Sequence, residues 1–267
     1  LPGRERGLWS DAFRRLIRQS HGILLVTGPT GSGKSTTLYA ALQELNAKEL
    51  NIVTLEDPIE YQLPGISQTQ VSDKKGMTFA TGLRTVLRQD PDVIMVGEIR
   101  DEETARMAIQ SSLTGHLVFS TLHTNDAAGA VTRLTDLGVE PYLVAGSLLG
   151  VLAQRLIRCI CKACGVEREL MRSDAESLGM GHEAGAPIVE ARGCPDCHQT
   201  GYRDRLGVFE LLTVDEAMHD LIAASPKSSL LKQAARKGGM TTLREDALRK
   251  LLGRMTTVEE VLRVTRE

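Results

Sequence analysis

Gly28-Pro29-Thr30-Gly31-Ser32-Gly33-Lys34-Ser35 is the stretch from which the rest of the chain is read. A glycine, four free positions and then Gly-Lys-Ser is the spacing of a phosphate-binding loop. Its flanks agree. Ile23-Leu24-Leu25-Val26 is a short apolar run expected as a buried strand, and residues 35–47 put Leu38, Leu42 and Leu45 on one face of a helix. A strand, a glycine turn and a helix start aim backbone N–H groups and the helix dipole at one point, which suits the polyanionic tail of a nucleotide. The binding stretch is taken as the whole motif together with Thr36. Lys34 is expected to reach the terminal phosphates, and the Ser35 hydroxyl to ligate Mg²⁺. A glycine-rich turn that matches by chance is the competing reading, and both flanks speak against it.

The chain has 267 residues, enough for one large domain and an appendage. Hydrophobic residues make up 42%, so a core can be buried, and the formal net charge of -2 gives no global field toward nucleic acid or an acidic membrane face. Aromatics are only 3% and no basic patch is spaced among them, which speaks against a nucleic-acid partner. No apolar run is long enough to span a bilayer, and nothing at the start resembles a signal peptide. The expected location is therefore cytoplasmic, with any membrane attachment made through a partner. With 27 residues ahead of the phosphate loop, a larger N-terminal domain is expected to be absent from this chain.

Residues 1–7 read as a polar loop, and residues 8–20 as an amphipathic helix with Trp9, Phe13, Leu16 and Ile17 on one side. Asn51-Ile52-Val53-Thr54-Leu55 is expected as the second core strand. It runs into Glu56-Asp57-Pro58-Ile59-Glu60-Tyr61, where Pro58 ends the ladder because it has no N–H to donate. Glu56, Asp57 and Glu60 thus fall just beyond the C-terminal end of a strand, the ligand edge of an open parallel sheet. A solvated acidic turn is the alternative. Residues 62–71 contain a Pro-Gly pair and read as a hairpin or an excursion. Thr78 can cap a helix through Phe79, Leu83, Val86 and Leu87, with Arg84 and Arg88 on one face and Asp90-Pro91 closing it.

Asp92-Val93-Ile94-Met95-Val96-Gly97-Glu98 is a near-continuous apolar run, expected as a strand buried on both faces that ends in glycine and an acid. A Walker B strand delivers a carboxylate to Mg²⁺ and the attacking water in this way. Glu98 is the first candidate for polarising that water; a surface glutamate at a strand end is the bland alternative. Asp101 can cap the next helix, to Leu113. His116-Leu117-Val118-Phe119-Ser120-Thr121-Leu122-His123 is a fourth strand with a histidine at each end. At its far end Thr121, His123 and Thr124 are candidates to sense a γ-phosphate, although a histidine taken alone is more often structural. Asn125 is expected to cap a helix reaching Leu137, Gly138 to end it, and residues 140–157 to form another. Residues 206–212 read as a strand, and residues 214–224, 229–237, 243–252 and 258–265 as helices.

All five cysteines fall between Cys159 and Cys197, a clustering that in a reducing compartment points to metal and not to disulfides. Cys161-Lys162-Ala163-Cys164 and Cys194-Pro195-Asp196-Cys197 are two C-x-x-C knuckles separated by 29 residues. Four thiolates at that spacing suit a tetrahedral Zn²⁺ in a closed, structural site. A redox C-x-x-C pair is the competing reading. Cys159 reads as a plain buried thiol, and residues 173–186 as loop or loose helix.

Lined up in order, these stretches resemble the C-terminal half of the secretion ATPases of the GspE/PulE group, in a superfamily shared with the type IV pilus ATPases. The phosphate loop resembles its Walker A, and Thr54-Leu55-Glu56-Asp57-Pro58-Ile59-Glu60-Tyr61 its Asp box. Val96-Gly97-Glu98-Ile99-Arg100-Asp101 resembles its Walker B, and the span from Thr114-Gly115-His116 to Leu122-His123-Thr124 its His box. The knuckles resemble a metal-binding insertion of secretion and pilus-assembly members. The resemblance implies an α/β fold. Residues 1–157 would form a RecA-like P-loop NTPase core, 158–203 a tetracysteine zinc-binding element, and 204–267 a C-terminal strand and helical region. It implies an ATP-hydrolysing homo-hexameric motor of type II secretion that drives pseudopilus assembly and the export of folded proteins. Such a motor reaches the inner membrane only through membrane-anchored secretion partners, bound by N-terminal regions that this chain is expected to lack. Glu98, Glu60, Lys34 and His123 are the expected catalytic groups, and Ser35, Glu98 and Glu56 the expected Mg²⁺ contacts.

Two assignments stay open at this level. A type IV pilus assembly ATPase is the nearest alternative, with a RecA-like nucleic-acid motor and a nucleotide-gated scaffold without turnover behind it. Arg84, Arg88, Arg100 and Arg106 lie near the expected ligand edge, either as charge-balancing cations or as partners of Glu98, Asp101 and the Asp-box acids. The phosphate loop itself yields a direct prediction. Lys34→Ala removes the point charge expected at the terminal phosphates, so hydrolysis is expected to vanish and nucleotide binding to weaken. Unchanged turnover in that variant would remove the assignment.

Overall fold

The computed structural model describes residues 8–45, 48–72, 74, 76–224 and 226–265. The loop expected over residues 1–7, the side chain of Trp9 and the helix end expected at Ala47 lie outside them. In chain order the elements are α1 (Leu8–Leu16), β1 (Gly22–Thr27), α2 (Lys34–Glu44), β2 (Ile52–Glu56), β3 (Ser67–Gln70), α3 (Phe79–Val86), β4 (Val93–Val96), α4 (Glu102–Leu113), β5 (Leu117–Leu122), α5 (Ala127–Asp136), α6 (Pro141–Ser147) and β6 (Leu148–Ile160). There follow β7 (Gly165–Glu169), α7 (Arg172–Ser177), β8 (Pro187–Ala191), β9 (Tyr202–Thr213), α8 (Glu216–Ala224), α9 (Ser228–Lys237), α10 (Leu243–Leu252) and α11 (Val258–Thr265). Two compact units result: Leu1–Ala153 with Glu210–Met240, and Gln154–Phe209 with Thr241–Glu267. Helices α8 and α9 fall in the first, α10 and α11 in the second. Among the described residues no helix is long and apolar enough to cross a membrane.

The apolar runs of the first unit become strands because both of their faces are covered. β1, β2, β4 and β5 are buried at every position. The seven-stranded sheet runs β3-β2-β4-β5-β1-β6-β9, and every pair from β3 to β6 is parallel. Parallel pairing requires crossovers, which α2 to α5 supply. Their starts are set locally. Thr78 and Thr81 form a reciprocal capping box on α3, and the Asp101 carboxylate accepts the Thr104 N–H at 2.8 Å on α4.

Several sequence expectations need correction. Residues 140–157 are not one helix: α6 ends at Ser147 and the chain turns into β6, parallel to β1. A fully buried apolar run has no polar face, so its period does not separate helix from strand. Gly150 shows how close the packing is. A Cβ there would meet the Leu212 carbonyl oxygen at 2.7 Å and Leu16 Cδ1 at 2.9 Å. β3 is no hairpin arm but an edge strand parallel to β2. α3 stops at Val86, so Arg88 lies beyond the helix. The cap of α5 is Asp126, not Asn125; its Oδ1 accepts the Gly129 N–H at 2.8 Å. Within residues 173–186 only α7 and a 3-10 turn at Gly181–Glu183 are regular.

In the second unit the central polar group is Glu260, fully buried on α11. Its carboxylate accepts the Arg158 backbone N–H at 2.7 Å and Arg158 Nε at 3.0 Å, and Arg263 Nε at 2.8 Å. The Arg158 guanidinium also lies 3.9 Å over the Tyr202 ring. Burial alone raises the Glu260 pKa, but the hydrogen bonds from Arg263 and Arg158 outweigh it and hold the group at about 2, below its ordinary 4.5. A folded value below the unfolded one means that the stabilisation is complete above pH 4.5 and is lost as pH falls toward 2. Glu260→Gln is expected to cost about 1.5–3 kcal/mol at neutral pH. The melting-temperature gap to the wild type should narrow steadily over that acid range, and a pH-independent gap would exclude an ionised Glu260.

Candidate functional site

The phosphate loop leaves β1 at Thr27 and enters α2 at Lys34. Gly33 caps the helix in the left-handed region, at φ 88°, which an L side chain adopts only under strain. Gly31 has φ 76°, and a Cβ on it would meet nothing within 4 Å, so the loop faces open space. No side chain caps α2, and Ser35 and Thr36 are exposed at its first turn. The first N–H groups of the helix therefore donate to no capping side chain. The Lys34 ammonium folds back over the loop, donating to the Gly28 carbonyl at 2.9 Å and the Pro29 carbonyl at 3.1 Å. A glycine turn that leads into a helix start without a side-chain cap, a lysine folded over it and open space beside Gly31 form a cradle that fits a phosphate chain.

Parallel register brings the other candidates to the same edge. Leu55 is opposite Val96, Val96 opposite Ser120, and Thr27 opposite Leu122. Glu56, His123 and Gly28 directly follow Leu55, Leu122 and Thr27, and Glu98 lies two residues after Val96. Side-chain hydroxyls fasten the strand ends together. Thr121 donates to the Gly97 carbonyl at 2.7 Å, while Thr27 accepts the Thr124 N–H at 2.9 Å and donates to the Leu122 carbonyl at 3.0 Å. Glu98 lies just past the end of β4 with its side chain 14% exposed. Its carboxylate pairs with Arg100 on one side and stands 3.5 Å from His123 Nε2 on the other. His116, at the opposite end of β5, points its Nδ1 at the Ser111 carbonyl, 2.9 Å away, and takes no part at this edge.

The Asp-box acids separate. Asp57 and Glu60 are exposed on the turn after β2. Glu56 is 4% exposed, and its carboxylate turns inward: Oε1 accepts Thr54 Oγ1 at 2.5 Å and Gln68 Nε2 at 3.0 Å, and Oε2 accepts the Tyr39 hydroxyl. Tyr39, Thr54 and Gln68 were not singled out from the sequence, where Tyr39 is one more residue of the loop helix and Gln68 one of a polar run. The arginines divide likewise. Arg84 pairs with Glu103, and Arg106 with Glu102 and Glu140, both at 2.9 Å. Arg100 is the one that meets a catalytic candidate.

The four knuckle cysteines meet. Their sulfurs lie within 4.8 Å of one another, with Cys161–Cys194 at 3.9 Å, Cys164–Cys197 at 3.8 Å and Cys194–Cys197 at 3.7 Å. A tetrahedron with Zn–S bonds of about 2.3 Å has edges of roughly 3.8 Å, so the donor set fits the ion. The cause is the β7–β8 hairpin, which the sequence reading missed. It pairs Gly165 with Ala191 and so sets the residues flanking each knuckle side by side. Burial pushes the Cys164 thiol up to about 12. Burial also opposes ionisation of Cys197, but the Cys194 and Gly201 N–H groups, at 3.2 and 3.1 Å from its sulfur, bring it to about 6. One Zn²⁺ per chain is expected by elemental analysis of unchelated protein. Cys164→Ser should lose it and unfold the stretch between Ile160 and Tyr202, with nucleotide binding at Lys34 retained. Protein free of zinc as purified would count against the site.

This geometry matches known proteins. "Type II secretion system protein E" of Pseudomonas aeruginosa is 59% identical over 254 residues, 94% of this chain and 50% of the relative. "Type II secretion system ATPase E" of Vibrio cholerae is 55% identical over 96% of this chain and 51% of its own length. "Type IV pilus assembly ATPase PilB" of Thermus thermophilus is 49% identical over 96% of this chain and 29% of its own length. The chain thus spans about half the length of the secretion relatives it matches. Among solved structures, the pilus retraction motor PilT with bound ADP aligns at a TM-score of 0.72 and 30% identity, covering 96% of this chain and 65% of that one. The expected α/β architecture, a P-loop core on a mostly parallel sheet, is the one this chain shares with that structure. Residues 8–263 match the model of the type II/IV secretion system proteins, and the chain belongs to that family.

Proposed function

We propose that this chain is the ATP-hydrolysing core of a type II protein secretion motor, driving pseudopilus assembly and the export of folded proteins. The observation that carries it is the meeting of the phosphate loop and the Glu98 carboxylate on one edge of a parallel sheet, in a chain 59% identical to a type II secretion protein E. Mg²⁺-ATP supplies the transferable phosphoryl group. Residues 28–36 cradle its phosphates, with Pro29 shaping the turn and the N–H groups at the start of α2 donating, and Lys34 balances their charge. Ser35 and Glu98 hold the metal, with Glu56 nearby on the sheet edge. Glu98 takes a proton from water, oriented by Arg100 and His123. Glu60, on the exposed turn, is the second catalytic acid.

The same reading extends to assembly. The working form is a homo-hexamer, held at the inner membrane by secretion-system proteins that dock on parts of the full-length relatives outside the matched half. Zn²⁺ at the four cysteines is structural, and the functional division into residues 1–157, 158–203 and 204–267 cuts across the two compact units, since residues 204–267 contribute to both. A type IV pilus assembly ATPase is the second reading, favoured by the 49% identity to PilB. Recovery of pilus-biogenesis membrane proteins, and not secretion ones, with the full-length protein would select it.

Glu98→Gln tests the chemistry. It keeps the shape of the side chain but cannot take up a proton, so bound ATP is expected to persist while turnover falls by about 10²–10⁴. A Glu98→Gln enzyme that turns over normally beside an inactive Glu60→Gln would exchange the two roles. Specific activity should also climb with protein concentration, as subunits assemble; a high, concentration-independent rate would argue against a ring motor.

A further inference from the structure

The turn that carries Glu60 is anchored on a buried polar cluster whose centre is Tyr39, a side chain of the phosphate-loop helix. Tyr39 lies five positions after Lys34 on α2 and is completely buried. Its hydroxyl donates to Glu56 Oε2 and accepts the Glu60 backbone N–H at 3.3 Å. Gln68, on β3, closes the other side. Its Nε2 donates to Glu56 Oε1 at 3.0 Å and to the Tyr61 carbonyl at 3.2 Å, and its Oε1 accepts the Leu63 N–H at 2.7 Å. The backbone of the turn is therefore held at residues 60, 61 and 63 by one cluster. The Tyr61 ring adds an edge-on contact with the Tyr39 ring, centroids 4.7 Å apart.

We propose that Tyr39, with Glu56 and Gln68, is a positioning device that ties Glu60 to the phosphate-loop helix, so that the catalytic acid and the phosphate cradle keep one geometry. The inference rests on the ATPase reading and on the role of Glu60 given above. It reassigns Glu56: three donors already meet its carboxylate, so it acts as the acceptor that fixes the Tyr39 hydroxyl and not as an Mg²⁺ contact. Burial, and then the neighbouring Glu56, push the Tyr39 hydroxyl up to about 12, so at neutral pH it remains a donor. A misplaced catalytic group is costly, since an error of about 1 Å can lower a rate by about 10²-fold. A core tyrosine with no such task would matter only for stability.

Tyr39→Phe keeps the ring and removes the hydroxyl. In single-turnover hydrolysis by the full chain, the rate constant of the hydrolysis step is expected to fall by about tenfold or more, with the affinity for fluorescent ADP held within about twofold. Combined with Glu60→Gln, the second substitution should cost little further, because both act on one group. Glu56→Gln should likewise lower the hydrolysis rate constant while leaving the Mg²⁺ concentration dependence unchanged, and it carries the test if Tyr39→Phe folds poorly. Additive losses, or a Mg²⁺ requirement raised by Glu56→Gln, would overturn the inference. A loss of ADP affinity in proportion to the loss of rate would do so as well. A fully active Glu60→Gln would overturn the catalytic reading of Glu60 and the inference with it. An inactive Glu60→Gln beside a fully active Tyr39→Phe overturns the positioning role alone.

Discussion

Parallel hydrogen bonding between β1, β5, β4 and β2 is the constraint on which the candidate site depends. Four strands that run the same way finish on the same edge, and the residues after them have nowhere else to go. The phosphate loop follows β1, His123 follows β5, Glu98 follows β4 and the Asp-box turn follows β2. A one-residue slip in the β4 pairing would turn the chain leading to Glu98 to the other face of the sheet. The hydroxyls of Thr27 and Thr121, bonded across to neighbouring strand ends, oppose such a slip.

Within that edge, charge is arranged sparingly. Glu98 is largely shielded from solvent and sits between Arg100 and His123, which hold the carboxylate from two sides. Lys34 rests on two carbonyls of its own loop, a contact that binding of a phosphate would replace. Arg84 and Arg106 are engaged with glutamates on α4 and before α6, which takes them out of the immediate site. Rim charges of this kind steer and align more than they stabilise.

The second unit follows a different logic. It is small, its hairpin has only two strands, and such a pair is marginal without support. Support comes from the four sulfurs at the base of β7 and β8 and from the buried side chains of Leu170, Ala175, Leu178, Met180 and Ile188, while the Arg158–Glu260–Arg263 group joins β6 to α11. Metal ligation would contribute folding free energy directly, as in other small cysteine-ligated elements.

How much was legible in the residues depends on how local each feature is. The phosphate loop, the caps at Thr78 and Asp101, the buried strands at residues 93–96 and 117–122 and the paired C-x-x-C knuckles were all readable, because each is set by spacing within a few residues. The same spacing argument failed at residues 148–153, a largely buried apolar stretch with no period, and at the β7–β8 pair, two five-residue strands of which β7 is mostly exposed and charged. The sequence alone determined which groups this protein can bring to a phosphate and to a metal. Only the tertiary structure decided that Glu98 faces Arg100 and His123, and that Glu56 turns inward to Tyr39, Thr54 and Gln68. Those contacts join residues from separate strands and helices, so their existence depends on register and packing and on no local pattern.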